Sequence, residues 1–306
     1  MCLAVVALDA HPLYAVVLAA NRDEYHARAA APAHWWEDKT GAPILAGRDL
    51  VHGGTWLGLA PDGRYGFVTN VREPGRHDPQ APSRGALVPA LVRDVRPIAD
   101  ALGALVDDAH DYNGFNLVGG QGLHGAFGSN RSGRTQALAR GVHGVSNARL
   151  DTPWPKLLRA KRGVAQWIAR GGNDLALLFD VLGDRTPADD AELPHTGIPH
   201  ERERLLSSPF IVSDTYGTRS STVVAIDRDG VAQFVERSFD PGGGPNGEVV
   251  FRFRLGVSDK CLTRVLHRHR ACHRTTRARR QWRAARANQN SRRRSDSAGV
   301  SARAAR

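Results

Sequence analysis

The chain has 306 residues, with 42 Lys+Arg against 31 Asp+Glu and a formal net charge of +11. The excess is local: residues 257–306 hold fifteen basic and two acidic residues, +13, whereas the first 256 hold 27 basic and 29 acidic, −2. A body so near neutrality excludes a nucleic-acid binder with a basic surface throughout, and no run reaches the ~18 consecutive apolar residues of a membrane helix.

The start lacks a basic segment, and Asp9, His11 and Pro12 interrupt its apolar run, so it does not read as a signal peptide. The expectation is a cytoplasmic protein. The three cysteines agree with that, because Cys2 has no partner within the body and Cys261 and Cys272 lie in the tail.

In chain order, residues 3–8 and 14–20 are short apolar runs around Asp-Ala-His-Pro-Leu, which predicts a hairpin. A strand follows at 44–46, then a second hairpin with arms 56–59 and 65–69 around Ala-Pro-Asp-Gly-Arg. Ser83 is a candidate N-cap for a helix over 85–92, which must accommodate Pro89. Pro97 opens a helix to about 105. Short strands are expected at 115–118 and 123–127, then helices at 152–169 and 174–182 and an acidic surface loop at 183–200. A third hairpin pairs 221–227 with 231–237 around Arg-Asp-Gly, and 248–254 alternates as a last strand. Helices come in pairs between blocks of strands. That order argues against a doubly wound parallel sheet and for antiparallel sheets covered by helices. No dinucleotide or phosphate-loop motif is present, and no cofactor is called for.

The chemistry starts at the second residue. Methionine is trimmed ahead of a small residue, which would leave Cys2 with a thiol and a free α-amine on one residue. An amine with a reference pKa of about 7.7–8.0 can take the thiol proton near neutral pH. The plain alternative is that Cys2 is a small hydrophobe on the first strand. If the first hairpin turns near His11, partners sum to about 22–23 and Cys2 faces Ala20 or Asn21. Asn21, Arg22, Asp23 and Glu24 then lie beside the thiol and amine. Together they offer an amide, a cation to favour thiolate and carboxylates to orient the amine. As a charge run, the same residues could be a solvated strand exit.

Met-Cys at the start, Asn21-Arg22-Asp23-Glu24, Ala46-Gly47-Arg48-Asp49, Gly53-Gly54-Thr55-Trp56-Leu57-Gly58, Thr69-Asn70-Val71-Arg72, Gly144-Val145-Ser146-Asn147 and Thr152-Pro153-Trp154-Pro155-Lys156 together resemble the NRDE family. Its eukaryotic members are called transport and Golgi organization proteins. The resemblance covers nearly all of residues 1–256. That family is in turn similar to N-terminal nucleophile (Ntn) hydrolases of the choloylglycine hydrolase and penicillin V acylase type.

The resemblance implies an α+β, four-layer αββα sandwich of two antiparallel sheets flanked by helices. It also implies an amidohydrolase acting on a small amide or acyl substrate. Carried over by position, Cys2 is the nucleophile and Asp23 the amine-orienting aspartate. Asn70 and Asn147 flank the oxyanion site, and structural turn asparagines are the alternative for them and for Asn21. Ala20 stands where the hydrolases carry an arginine, and Arg22 offers a positive charge two residues later. The alternative function is a non-catalytic binding or trafficking protein that keeps the fold and holds a ligand such as haem or lipid.

Among further candidates, Arg219 precedes a strand and could reach the site. Trp35, Trp36, Trp56 and Trp154 could line an apolar pocket or simply pack. His143 reads as incidental, because an N-terminal amine makes a histidine base redundant. In the tail, Cys261, His267, His269, Cys272 and His273 fit no standard zinc spacing. The organisation expected is therefore a domain at 1–256 and a disordered Arg-rich tail at 257–306. That tail would touch nucleic acid, non-specifically, or acidic lipid, or be an unselected extension of a gene that uses 38 arginines to 4 lysines.

Overall fold

A computed structural model describes residues 3–36 and 41–256. Cys2 and residues 257–306, with the expectations attached to them, lie outside the described residues. The first sheet contains β1 (Leu3–Leu8), β2 (Tyr14–Tyr25), β10 (Gly141–Val145), β11 (Tyr216–Asp227), β12 (Val231–Phe239) and β13 (Pro245–Arg254), ordered β10-β1-β2-β11-β12-β13. The second runs in chain order: β3 (Ala30–Trp36), β4 (Ile44–Asp49), β5 (Leu57–Leu59), β6 (Tyr65–Asn70), β7 (Phe115–Gln121), β8 (His124–Ser129) and β9 (Arg134–Leu138). Every strand pairing is antiparallel. The helices are α1 (Leu87–Arg93), α2 (Ile98–Asp107), α3 (Pro155–Ala169), α4 (Ala176–Leu182) and α5 (His200–Leu205).

Three apolar cores separate four layers. Along β1, Ala4, Val6 and Leu8 face Leu57, Leu59, Phe67 and Val118 of the second sheet. Leu3, Val5 and Ala7 face Leu157, Val164 and Leu178 of α3 and α4. A strand covered on both faces needs an unbroken apolar run rather than alternation, which is why residues 3–8 read Leu-Ala-Val-Val-Ala-Leu. The third core packs Leu87, Val88, Leu91 and Leu102 of α1 and α2 on Ile44, Phe115 and Leu117. Each such buried side chain contributes roughly 1.5–3 kcal/mol. The architecture is the αββα sandwich of two antiparallel sheets.

Several local expectations change. Pairs in the first hairpin sum to 24 rather than 22–23, with Leu3 opposite Asn21 and Ala4 opposite Ala20. The loop is longer than a turn at His11 allows: Asp9 takes a left-handed φ of 46° and its N–H donates to Ala15 O. The His11 ring accepts from the N–H groups of Leu13 and Tyr14. β2 continues through the polar residues to Tyr25, so they are no solvated exit. β3, β9 and α5 were not expected. β3 contains Pro32 and shifts register between Ala31 and His34, while β9 is exposed at four of five residues and has no apolar period. Pro89 fits because it is the third residue of α1, where its missing N–H has no intrahelical acceptor.

Candidate active site

One end of the first sheet gathers the polar residues. Val145 pairs with Ala4 and Leu3 with Asn21. Asn21 pairs with Ser221, Arg22 with Ser220 and Asp23 with Thr218. Cys2, bonded to Leu3, is attached at this end. Between Thr218 and Ser220 the ladder shifts register, a bulge of the kind that re-aims side chains. Arg219 occupies it, and its guanidinium donates to the carbonyls of Tyr25 and His26.

Alternation along β2 sends its polar residues two ways. Asn21 is fully buried beside the end of α4: its Nδ2 donates to Leu182 O (2.8 Å) and Pro209 O (2.9 Å), and its Oδ1 accepts from Ser221 Oγ (2.6 Å). Buried Asp23 accepts from Thr218 Oγ1 at 2.7 Å, and that oxygen accepts from Ile211 N–H. Arg22 turns between the sheets, its guanidinium 4.4 Å from the Trp56 ring centroid. Trp56 fits beneath it because residue 47 is glycine: a Cβ there would lie 2.4 Å from the indole. Glu24 is part-exposed, 3.9 Å from Arg22 and 3.7 Å from Arg28. Burial pulls the Arg22 pKa down against the opposing pull of Glu24 and Asp49. Burial pushes Asp49 up, but hydrogen bonds from Arg28 and Val51 N–H outweigh it and hold the carboxyl below its ordinary value.

The two expected oxyanion asparagines meet. Asn147 Nδ2 donates to the backbone carbonyl of Asn70 at 3.1 Å. Asn147 Oδ1 accepts from Lys156 Nζ and from Ser146 Oγ, each at 3.3 Å. A lysine only donates, so it fixes which end of the amide faces it. Among the described residues one Nδ2 hydrogen is engaged, leaving the second for a ligand oxygen. Asn70 lines two cavities: about 320 Å³ with Arg22, Trp56 and Arg84 on its walls, and about 160 Å³ with Asn147, Lys156 and Tyr216.

The sequence profile described as Transport and Golgi organisation 2 matches residues 1–241. The chain belongs to that family. A Bos taurus "Transport and Golgi organization protein 2 homolog" is 34% identical over 263 residues, covering 78% of this chain and 93% of the relative. The Homo sapiens homolog is 34% identical over 265 residues with the same coverage. The Drosophila melanogaster protein is 27% identical, covering 81% and 95%. Two solved structures show distant likeness. The Caenorhabditis elegans N-acylethanolamine-hydrolyzing acid amidase ortholog has a TM-score of 0.45 at 11% identity, covering 72% of this chain and 92% of its own. A mutant conjugated bile acid hydrolase from Clostridium perfringens scores 0.46 at 7% identity, covering 88% and 97%. Likeness at that level carries no argument about chemistry.

In this member of the Transport and Golgi organisation 2 family, four charged residues near the site escaped the sequence reading. Lys156 is 1% exposed in the first turn of α3, where a cation opposes the helix dipole. Arg72 stacks on Trp154 at 4.6 Å and pairs with buried Glu203 at 2.5 Å. Glu236 is buried between the sheets, accepting from Ala33 N–H and Thr222 Oγ1; desolvation pushes its pKa up to about 7. A signal existed for Glu236: it shares the period-two face of Ala232 and Phe234. His143 lies in β10 opposite Val6, its ring bonded to Asp151 and to Ala139 O. Of the remaining tryptophans, Trp36 donates to Ala46 O and Trp35 packs edge-on to Phe253. Among the described residues no group of three or more His, Cys, Asp or Glu could hold a metal ion.

Proposed function

We propose that this chain is a cysteine N-terminal-nucleophile amidohydrolase acting on a small amide or acyl substrate. One observation carries the reading: Asp23, Asn147 and the start of β1 converge at one sheet end, and Asn147 is hydrogen-bonded to Asn70 of the other sheet. The α-amine of Cys2 takes the thiol proton, and the thiolate attacks the amide carbonyl. The negative charge that develops on the carbonyl oxygen is met by the second Nδ2 hydrogen of Asn147, a donor worth roughly 2.7–4 kcal/mol. The amine leaves with the transferred proton. Water then cleaves the thioester, releasing the acid and restoring the thiol. Asp23 orients the amine.

Intact-mass measurement with an electrophilic cysteine probe tests this. A chain starting at Cys2 should label quickly at neutral pH, and Cys2→Ala should not label while keeping its fold. Asn147→Ala should lower kcat more than it raises KM. Retained Met1 in the functional preparation would overturn the reading. Slow labelling without hydrolysis of any small amide would leave the haem- or lipid-binding function in its place.

A further inference from the structure

We infer that the cavity between Arg22 and Asn70 is a carboxylate subsite, and that the substrates are small N-acyl acids whose carboxylate docks on Arg22; this rests on the amidohydrolase reading. Arg22 is 4% exposed and lines the 320 Å³ cavity. Among the described residues its guanidinium makes no hydrogen bond: it has one ion pair, 3.9 Å from Glu24, and the face of Trp56. A guanidinium carries five donors, and a buried one without acceptors is costly. The indole lies against the Arg22 guanidinium carbon, 4.4 Å from the ring centroid, and supplies no hydrogen-bond acceptor, so the N–H donors are left for a ligand; a carboxylate takes a guanidinium through two parallel hydrogen bonds.

The acidic neighbours leave this role open. Asp49 is taken by Arg28 and by Val51 N–H. Asp78 accepts from Gln80 N–H. Glu24 is the competitor, and it divides its charge between Arg22 and Arg28. Arg84 stands on the same walls, adding positive potential as ligands approach. Asn70 supplies the link to the chemistry, because it lines this cavity and also accepts from Asn147. Asn70 also lines the 160 Å³ cavity that holds Asn147, so a ligand with its carboxylate on Arg22 brings its amide to Asn147 by extending past Asn70.

The test measures binding by calorimetry to the full chain carrying Cys2→Ala, so that turnover plays no part. Probes are matched acid and amide pairs, from N-acetylglycine and N-acetylglycinamide to the phenylalanine pair, with acetate as the free anion. The acid of at least one pair should bind at least about 10-fold tighter than its amide, and more tightly than acetate, in line with hydrogen bonds to a charged group. Arg22→Gln should erase the preference, and Arg22→Lys, which keeps charge without the fork, should retain part of it. Glu24→Gln should tighten acid binding. Near-UV circular dichroism reports whether each variant keeps its packing.

No acid preference in any pair, an unchanged preference in folded Arg22→Gln, or acetate binding as well as the acyl acids would overturn the subsite. Acid-selective binding in a chain whose wild type hydrolyses none of the probes would keep the subsite and sink the hydrolase.

Discussion

β2 is two strands in one. Val16–Ala20 and Asn21–Asp23 are buried almost equally, none of the eight residues more than 4% exposed, yet one half is apolar and the other carries an amide, a guanidinium and a carboxylate. The apolar half is stabilised by area removed from water, which constrains neither direction nor partner. Asn21 and Asp23 in the second half instead need partners at hydrogen-bond distance, and the Arg22 guanidinium a ring face to lie against. Those partners come from far along the chain: Leu182 and Pro209 for Asn21, Thr218 for Asp23, Trp56 for Arg22. The apolar half builds the sandwich, and the polar half fixes where distant loops settle around the site.

Replacing Asn21 with leucine breaks the contrast most severely. Leucine matches the volume and extends the apolar run, so area alone predicts a neutral or stabilised protein. The hydrogen-bond argument predicts the opposite, because the carbonyls of Leu182 and Pro209 and the Ser221 hydroxyl lose their partner inside the core. At 1–3 kcal/mol for each orphaned group, the loss is about 4 kcal/mol. Denaturant unfolding measures it. An unchanged midpoint would mean that the two halves of β2 are held by the same forces.

The same split decides what could be read from the sequence. The apolar half of β2, all of β1 and the hairpins with Asp-Gly turns were legible because a local pattern determined them. The burial of Asn21–Asp23 was not, since a run of polar residues looks alike at a solvated exit and in a buried site. Only a resemblance to a family singled them out. Lys156 shows the limit: Pro155 marks a helix start, but nothing local says that its lysine is covered by residues near Asn147. β3 and β9 were missed because their edge positions demand no apolar period. Arg22 was read as a cation for the thiolate; its side chain lies against Trp56 between the sheets, a face set by strand alternation that a one-residue register error inverts.

Glu236 sharpens the comparison through pH. Its folded-state pKa of about 7 lies above the ordinary value of 4.5, so the folded chain binds the proton more tightly. The corresponding stability is fully present below about pH 4.5 and is lost as pH rises through about 7. The ionised form costs on the order of 3 kcal/mol relative to the neutral one. Glu236→Gln keeps an acceptor for Ala33 N–H and removes the charge. It should match the wild type at pH 4 and exceed it by a comparable amount at pH 8. Parallel curves for the two proteins between pH 4 and 8 would show that this carboxyl is already solvated.

Asp49 should show a smaller effect of opposite sign. Its folded-state pKa lies below the ordinary 3.8, because the hydrogen bonds from Arg28 and Val51 N–H outweigh desolvation. Its contribution is present above pH 3.8 and disappears as pH falls through the lower folded value. Arg28 is 30% exposed on its side chain, so solvent screening holds the pair to about 1 kcal/mol. Asp49→Asn should lose that amount at pH 7 and converge with the wild type in strong acid, and the loss should shrink in high salt. Asp49 lines the cavity and pairs with part-exposed Arg28, whereas Glu236 is buried between the sheets. A salt-insensitive loss several-fold larger than this would place Asp49 with the buried polar half of β2, where an absent partner leaves a group with no water to turn to.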